Sequence, residues 1–136
     1  MLYETGFELV LSMPFENARE VLINTLKEEG FGVLTEIDVK ATMKEKLDKE
    51  FRPYRILGVC NPPLAYKALS TDPRIGLLLP CNVTIEENEN GTLVRIINPD
   101  MMLTSFKTTE NETFEEIASD ASKRLQKVIG ALQKQE

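Results

Sequence analysis

Residues Tyr54–Asn88 read YRILGVCNPPLAYKALSTDPRIGLLLPCNVTIEEN, and this stretch decides the fold class. Tyr54–Cys60 is rich in aliphatic and β-branched residues and reads as a strand. Asn61 and the paired Pro62–Pro63 open a short helix, because a first-turn N–H has no partner inside a helix and proline loses nothing there. That helix closes near Asp72–Pro73. Ile75–Leu79 is continuously apolar, as a buried strand would be. Pro80 and Cys81 interrupt it before VTIEEN resumes in plain alternation.

Upstream, Tyr3–Ser12 reads as a strand with Phe7, Leu9 and Leu11 on one side. Pro14 then opens a helix whose Phe15, Ala18, Leu22 and Leu26 recur at helical spacing, with Val21 widening the stripe and Gly30 as its stop. Phe31–Ile37 predicts a second strand. From Asp38 to Phe51 a second amphipathic helix follows, with Asp38 as N-cap. Its apolar strip, Val39, Met43, Leu47 and Phe51, is narrow enough to lie on the surface and be shared with a partner.

Downstream, Asn90–Gly91 is the strongest hairpin signal in the chain. It leads to TLVRIIN, which ends at Asn98–Pro99. A loop, PDMMLTSF, precedes a final helix from about Asn111 to the end, where Ile117, Ala121, Leu125, Val128 and Leu132 form one face. Acids crowd its first half and bases its second, the polarity a helix dipole favours. The order β-α-β-α-β-α-β-β-α predicts one α+β domain, with helices on one face of a mainly antiparallel sheet.

Composition narrows function by exclusion. The 136 residues are 42% hydrophobic and 28% charged, enough for a core of ordinary size. A net charge of −6, with bases scattered among more numerous acids, argues against nucleic acid and anionic membranes as partners. No apolar run is long enough to span a bilayer. The opening MLYETGFELVLSMP lacks a basic n-region and a cleavage site, so the expected location is the cytoplasm. The chain has no histidine, which removes the commonest general base and metal ligand. Chemistry would have to run on cysteine, carboxylates, lysine, tyrosine or a cofactor, and nothing in the text calls for a cofactor.

The two cysteines, Cys60 and Cys81, each precede an asparagine, Asn61 and Asn82. If their strands are parallel neighbours, both Cys-Asn pairs lie toward one sheet edge. If the strands are antiparallel, the thiols are expected apart. Together with Asp100 these four residues are the candidate ligand site. A thiol role would need a thiolate stabilised by a helix N-terminus or a cation, and Lys67 and Arg74 are the nearest in sequence. The plainer reading is two small buried residues beside turn prolines. Two cysteines 21 positions apart with no histidine fall short of a zinc site, which Glu36 or Asp100 could complete only by accident of folding. Two functions remain: a non-enzymatic module that binds a small ligand or a partner protein, and redox sensing or sulfur carriage by Cys60 and Cys81.

The run GVCNPPLAYKALSTDPRIGLLLPCNVTI, followed by ENGT and INPDMM, resembles the bacterial and archaeal domain-of-unknown-function family 302. The resemblance extends over nearly the whole chain. It rests on Cys60, Asn61, Pro62, Asp72, Pro73, Gly76, Pro80, Cys81, Asn82 and Pro99–Asp100. It implies a curved antiparallel sheet covered by helices, broadly like the TATA-binding protein in topology, together with dimeric association and no particular reaction.

Overall fold

In chain order the computed structural model, which describes residues 4–106 and 109–135, contains β1 (Gly6–Leu11), α1 (Phe15–Glu28), β2 (Gly32–Asp38), α2 (Val39–Leu47) and β3 (Tyr54–Cys60). Then come α3 (Pro62–Thr71), a 3-10 helix (Pro73–Leu78), β4 (Cys81–Asn88), β5 (Gly91–Ile97), α4 (Pro99–Thr104) and α5 (Asn111–Gln133). Tyr3, where the first strand was expected to begin, lies outside the described residues.

The strands form a five-stranded sheet in the order β1-β5-β4-β3-β2, and every neighbouring pair is antiparallel. β2 to β5 are a meander with helices inserted at two of its turns. β1 and β2 stand at opposite edges, so α1, which joins them, must cross the sheet. Ala18, Leu22 and Leu26 are buried on its inner side. Strand alternation aims Leu9, Leu57, Val83, Ile85 and Val94 at α1 and α5, and all are buried. The opposite face carries Glu8, Thr84, Glu86 and Arg95. There Glu86 is 4% exposed and takes hydrogen bonds from Arg52 (2.5 Å) and Arg95. Burial alone would raise its pKa, but the two guanidinium partners outweigh that and hold it below the usual carboxylate range.

A second, smaller cluster packs beyond the end of the sheet, where Ala68 of α3, Ile75, Met102 and Leu103 of α4, and Phe114 and Ile117 of α5 meet. Cys81 touches both clusters.

Three expectations are corrected here. The second helix does not reach Phe51, because α2 ends at Leu47, where Asp48 takes a left-handed backbone as its C-cap. Ile75–Leu79 is not a strand but lies largely within the 3-10 helix. Asp72 caps it by accepting the Arg74 N–H at 3.1 Å, Pro73 starts it, and Leu77 is 88% exposed. A short apolar run cannot be assigned by periodicity alone, and the cap and proline decide it. The segment PDMMLTSF is not all loop, since Pro99–Thr104 is α4. Asn98 accepts the Asp100 N–H at 3.0 Å, so the Asn-Pro-Asp text that reads as a turn is an N-cap followed by a first-position proline. Asp38 caps α2 as expected, accepting the Ala41 N–H at 2.9 Å.

Candidate functional site

The end of β3 and the start of β4 border an apolar cavity of about 300 Å³. Phe31, Val59 and Cys81 line it on the sheet side, and Leu64, Ala68 and Leu69 line it from α3. Met102 and Leu103 of α4 and Ile117 and Ala121 of α5 close the far wall. It therefore sits at the seam between the two clusters. Leu34 and Leu69, 66% and 41% exposed, mark its mouth.

The expectation that antiparallel strands would part the cysteines is wrong. When consecutive strands pair antiparallel, the last residues of one lie beside the first residues of the next. The register sets Cys81 opposite Val59, one residue before Cys60. Both cysteines are free and half-buried, and both line the cavity. Burial raises the Cys60 pKa. It pushes Cys81 up to about 11, with the nearness of Cys60 adding to the rise. Both thiols thus stay protonated near neutral pH.

Asn61 also lines the cavity, 7% exposed, where its Oδ1 accepts the Leu64 N–H at 3.3 Å and caps α3. Asn82 and Asp100 are not in this lining. Asn82 is exposed and pairs with Gly58, so strand alternation turns it to the other sheet face from Cys81. Asp100 is exposed in the first turn of α4 and borders two other hollows.

The nearby cations have carboxylate partners. Lys67 is 3.6 Å from Glu116, Arg74 is 2.6 Å from Asp72, and Arg124 is 2.7 Å from Asp120. Glu36 lies at the β2 edge, held by Arg19 at 2.6 Å and Arg55 at 3.0 Å. No group of three or more cysteine, aspartate or glutamate residues among those described could hold a metal ion.

Sequence reasoning missed most of the cavity wall. Phe31 reads as a strand start and Ile117 as part of the apolar face of the last helix, while Met101, Met102 and Leu103 read as an apolar loop that covers the sheet, with a pocket lid or a dimer contact as the alternatives. The usable signal was Ala68 and Ala121, small residues on otherwise large apolar stripes, where a bigger side chain would fill the space.

Fold and site together define a class: a five-stranded antiparallel sheet covered by helices, with an apolar cavity where β3 turns into α3. Within that class, the chain belongs to the family described as Domain of unknown function DUF302, whose model matches residues 7–132. It is similar to an uncharacterized protein of Aquifex aeolicus, 28% identical over 130 residues, covering 95% of this chain and 82% of that one. It is also similar to the crystal structure of an uncharacterized conserved DUF302 protein from Bacillus stearothermophilus. That match has a TM-score of 0.80 and 30% identity, over 93% of this chain and 96% of the other. No helix among the described residues is long and apolar enough to cross a membrane.

Proposed function

We propose that this chain is a non-enzymatic binding module, working as a homodimer, that takes a small ligand into the cavity between β3, β4, α3, α4 and α5. The observation that carries this reading is the cavity itself, whose volume of about 300 Å³ falls within the range of ligand sites. Protonated thiols and ion-paired cations around it support binding over chemistry. The homodimer is supported by α2, none of whose residues is buried and whose Leu47 is 62% exposed. Free thiols at Cys60 and Cys81 fit a reducing cytoplasm.

Xenon tests the cavity without assuming a ligand class, since dry apolar cavities take it up. A ¹²⁹Xe titration of the wild-type chain is expected to give a saturable shift that Ala121→Phe abolishes. No saturable shift would remove the reading. Light scattering at micromolar concentration should give twice the chain mass, and the mass of one chain would remove the dimer.

The thiol role is the second reading, supported by the closeness of Cys60 and Cys81. Its test is alkylation of the folded protein. A thiol with a pKa of about 11 is expected to react slowly near pH 7 and about tenfold faster per pH unit above it. Fast, pH-independent labelling would instead favour the thiol role.

A further inference from the structure

We propose that the ligand of this cavity is an uncharged aromatic molecule of one or two rings, an inference that rests on the binding-module reading above. Three observations carry it. The first is charge. No Asp, Glu, Lys or Arg is among the residues that line the cavity, and Lys67, Arg74 and Arg124 around it each pair with a carboxylate. A carboxylate or ammonium entering this space would lose its water and meet no counter-charge, which is the most expensive way to bury a group.

The second is size. An apolar cavity of roughly 150 Å³ holds one benzene ring, and this one has about 300 Å³. That is room for two fused rings. The third is sulfur. Cys60, Cys81 and Met102 all line the same cavity. Sulfur is polarisable and makes favourable contacts with ring edges that a saturated hydrocarbon of the same shape cannot match.

The test uses the wild-type full chain and three probes built on one bicyclic ten-carbon skeleton: naphthalene, 2-naphthoate and decalin. The first two are followed by naphthyl fluorescence and the third by competition. Naphthalene is expected to bind saturably, with 2-naphthoate at least roughly tenfold weaker and decalin roughly two- to tenfold weaker. Met102→Leu keeps the side-chain volume, and it should narrow the margin of naphthalene over decalin while leaving the fold unchanged by circular dichroism. If 2-naphthoate or decalin binds as tightly as naphthalene, the ligand class is wrong and the cavity reading stands. If xenon binds but none of the three probes does, the class is likewise overturned. If neither xenon nor any probe binds, both readings fall.

Discussion

Replacing Glu36 by glutamine keeps the side chain's shape and removes its charge, and the geometry around it fixes what should follow. Glu36 stands on β2, bound by Arg19 of α1 through two hydrogen bonds of 2.7 and 2.6 Å and by Arg55 of β3 at 3.0 Å. The Arg19 hydrogen bonds do most to lower its pKa. Burial opposes them, Arg55 adds to them, and the result falls from an ordinary 4.5 to about 2. At about 1.4 kcal/mol per tenfold change in proton affinity, that fall corresponds to about 3 kcal/mol. Side-chain exposures of 30% for Arg19 and 23% for Glu36 let water screen part of this, leaving about 1–2 kcal/mol.

The sign follows from the direction of the shift. A carboxylate with a depressed folded pKa stabilises the fold fully above its unfolded value and loses that contribution as pH falls toward the folded one. The gap between wild type and Glu36→Gln should therefore be about 1–2 kcal/mol at pH 7, start to shrink near pH 5 and close near pH 2. Urea unfolding of both proteins across that range, at low and high salt, measures it. A gap that stays constant from pH 7 to pH 3 would refute the charge argument and leave only a packing role for Glu36.

Two further substitutions probe the frame of the cavity. A Cβ at Gly58 would collide with Thr35 Oγ1 and come within 2.7 Å of the Pro80 ring. Gly58→Ala is therefore expected to cost about 1–3 kcal/mol in urea unfolding and, because Thr35 and Pro80 line the cavity, to change xenon affinity as well. An unchanged unfolding midpoint would show that the close approach is not real. Asn61→Ala removes the cap of α3 and should cost about 1 kcal/mol, read by the same assay. Asn61→Ser, which keeps an accepting oxygen for the Leu64 N–H without placing a charge in the cavity, should restore most of it. Failure of Ser to rescue would mean that Asn61 acts through its amide nitrogen instead.

How much was legible depended on whether local chemistry or long-range pairing decided the matter. Tyr54–Cys60 was read with its observed limits because a strand opened by Pro53 and closed by Asn61–Pro62 is bounded by local signals. The same holds for the Asp38 cap of α2. Ile75–Leu79 went astray because its apolar text suits either a strand or a tight helix, and only the Asp72 cap tells them apart. The nearness of Cys60 and Cys81 was misjudged because a strand begun at Ile75 carries Cys81 away from the end of β3, whereas β4 begins at Cys81 and antiparallel pairing sets it opposite Val59. Asn82 dropped out for a related reason. Since β4 begins at Cys81, its second residue must face the other way. The cavity itself was nearly invisible, because a wall of Phe31, Met102 and Ile117 has the same composition as a filled core.

β2 is an edge strand, and its pairing with β3 slips between Val33 and Thr35. Leu34 is the residue added there, and after it Glu36 and Asp38 fall on the side that carries Arg55. An incoming strand seeking to extend the sheet would meet a broken hydrogen-bond ladder and two carboxylates already committed to arginine. Both devices discourage edge-to-edge growth. The irregularity that positions Leu34 at the cavity mouth therefore also guards the chain against aggregation along this edge. Deleting Leu34 to restore regular alternation would expose a smooth template for polymerisation.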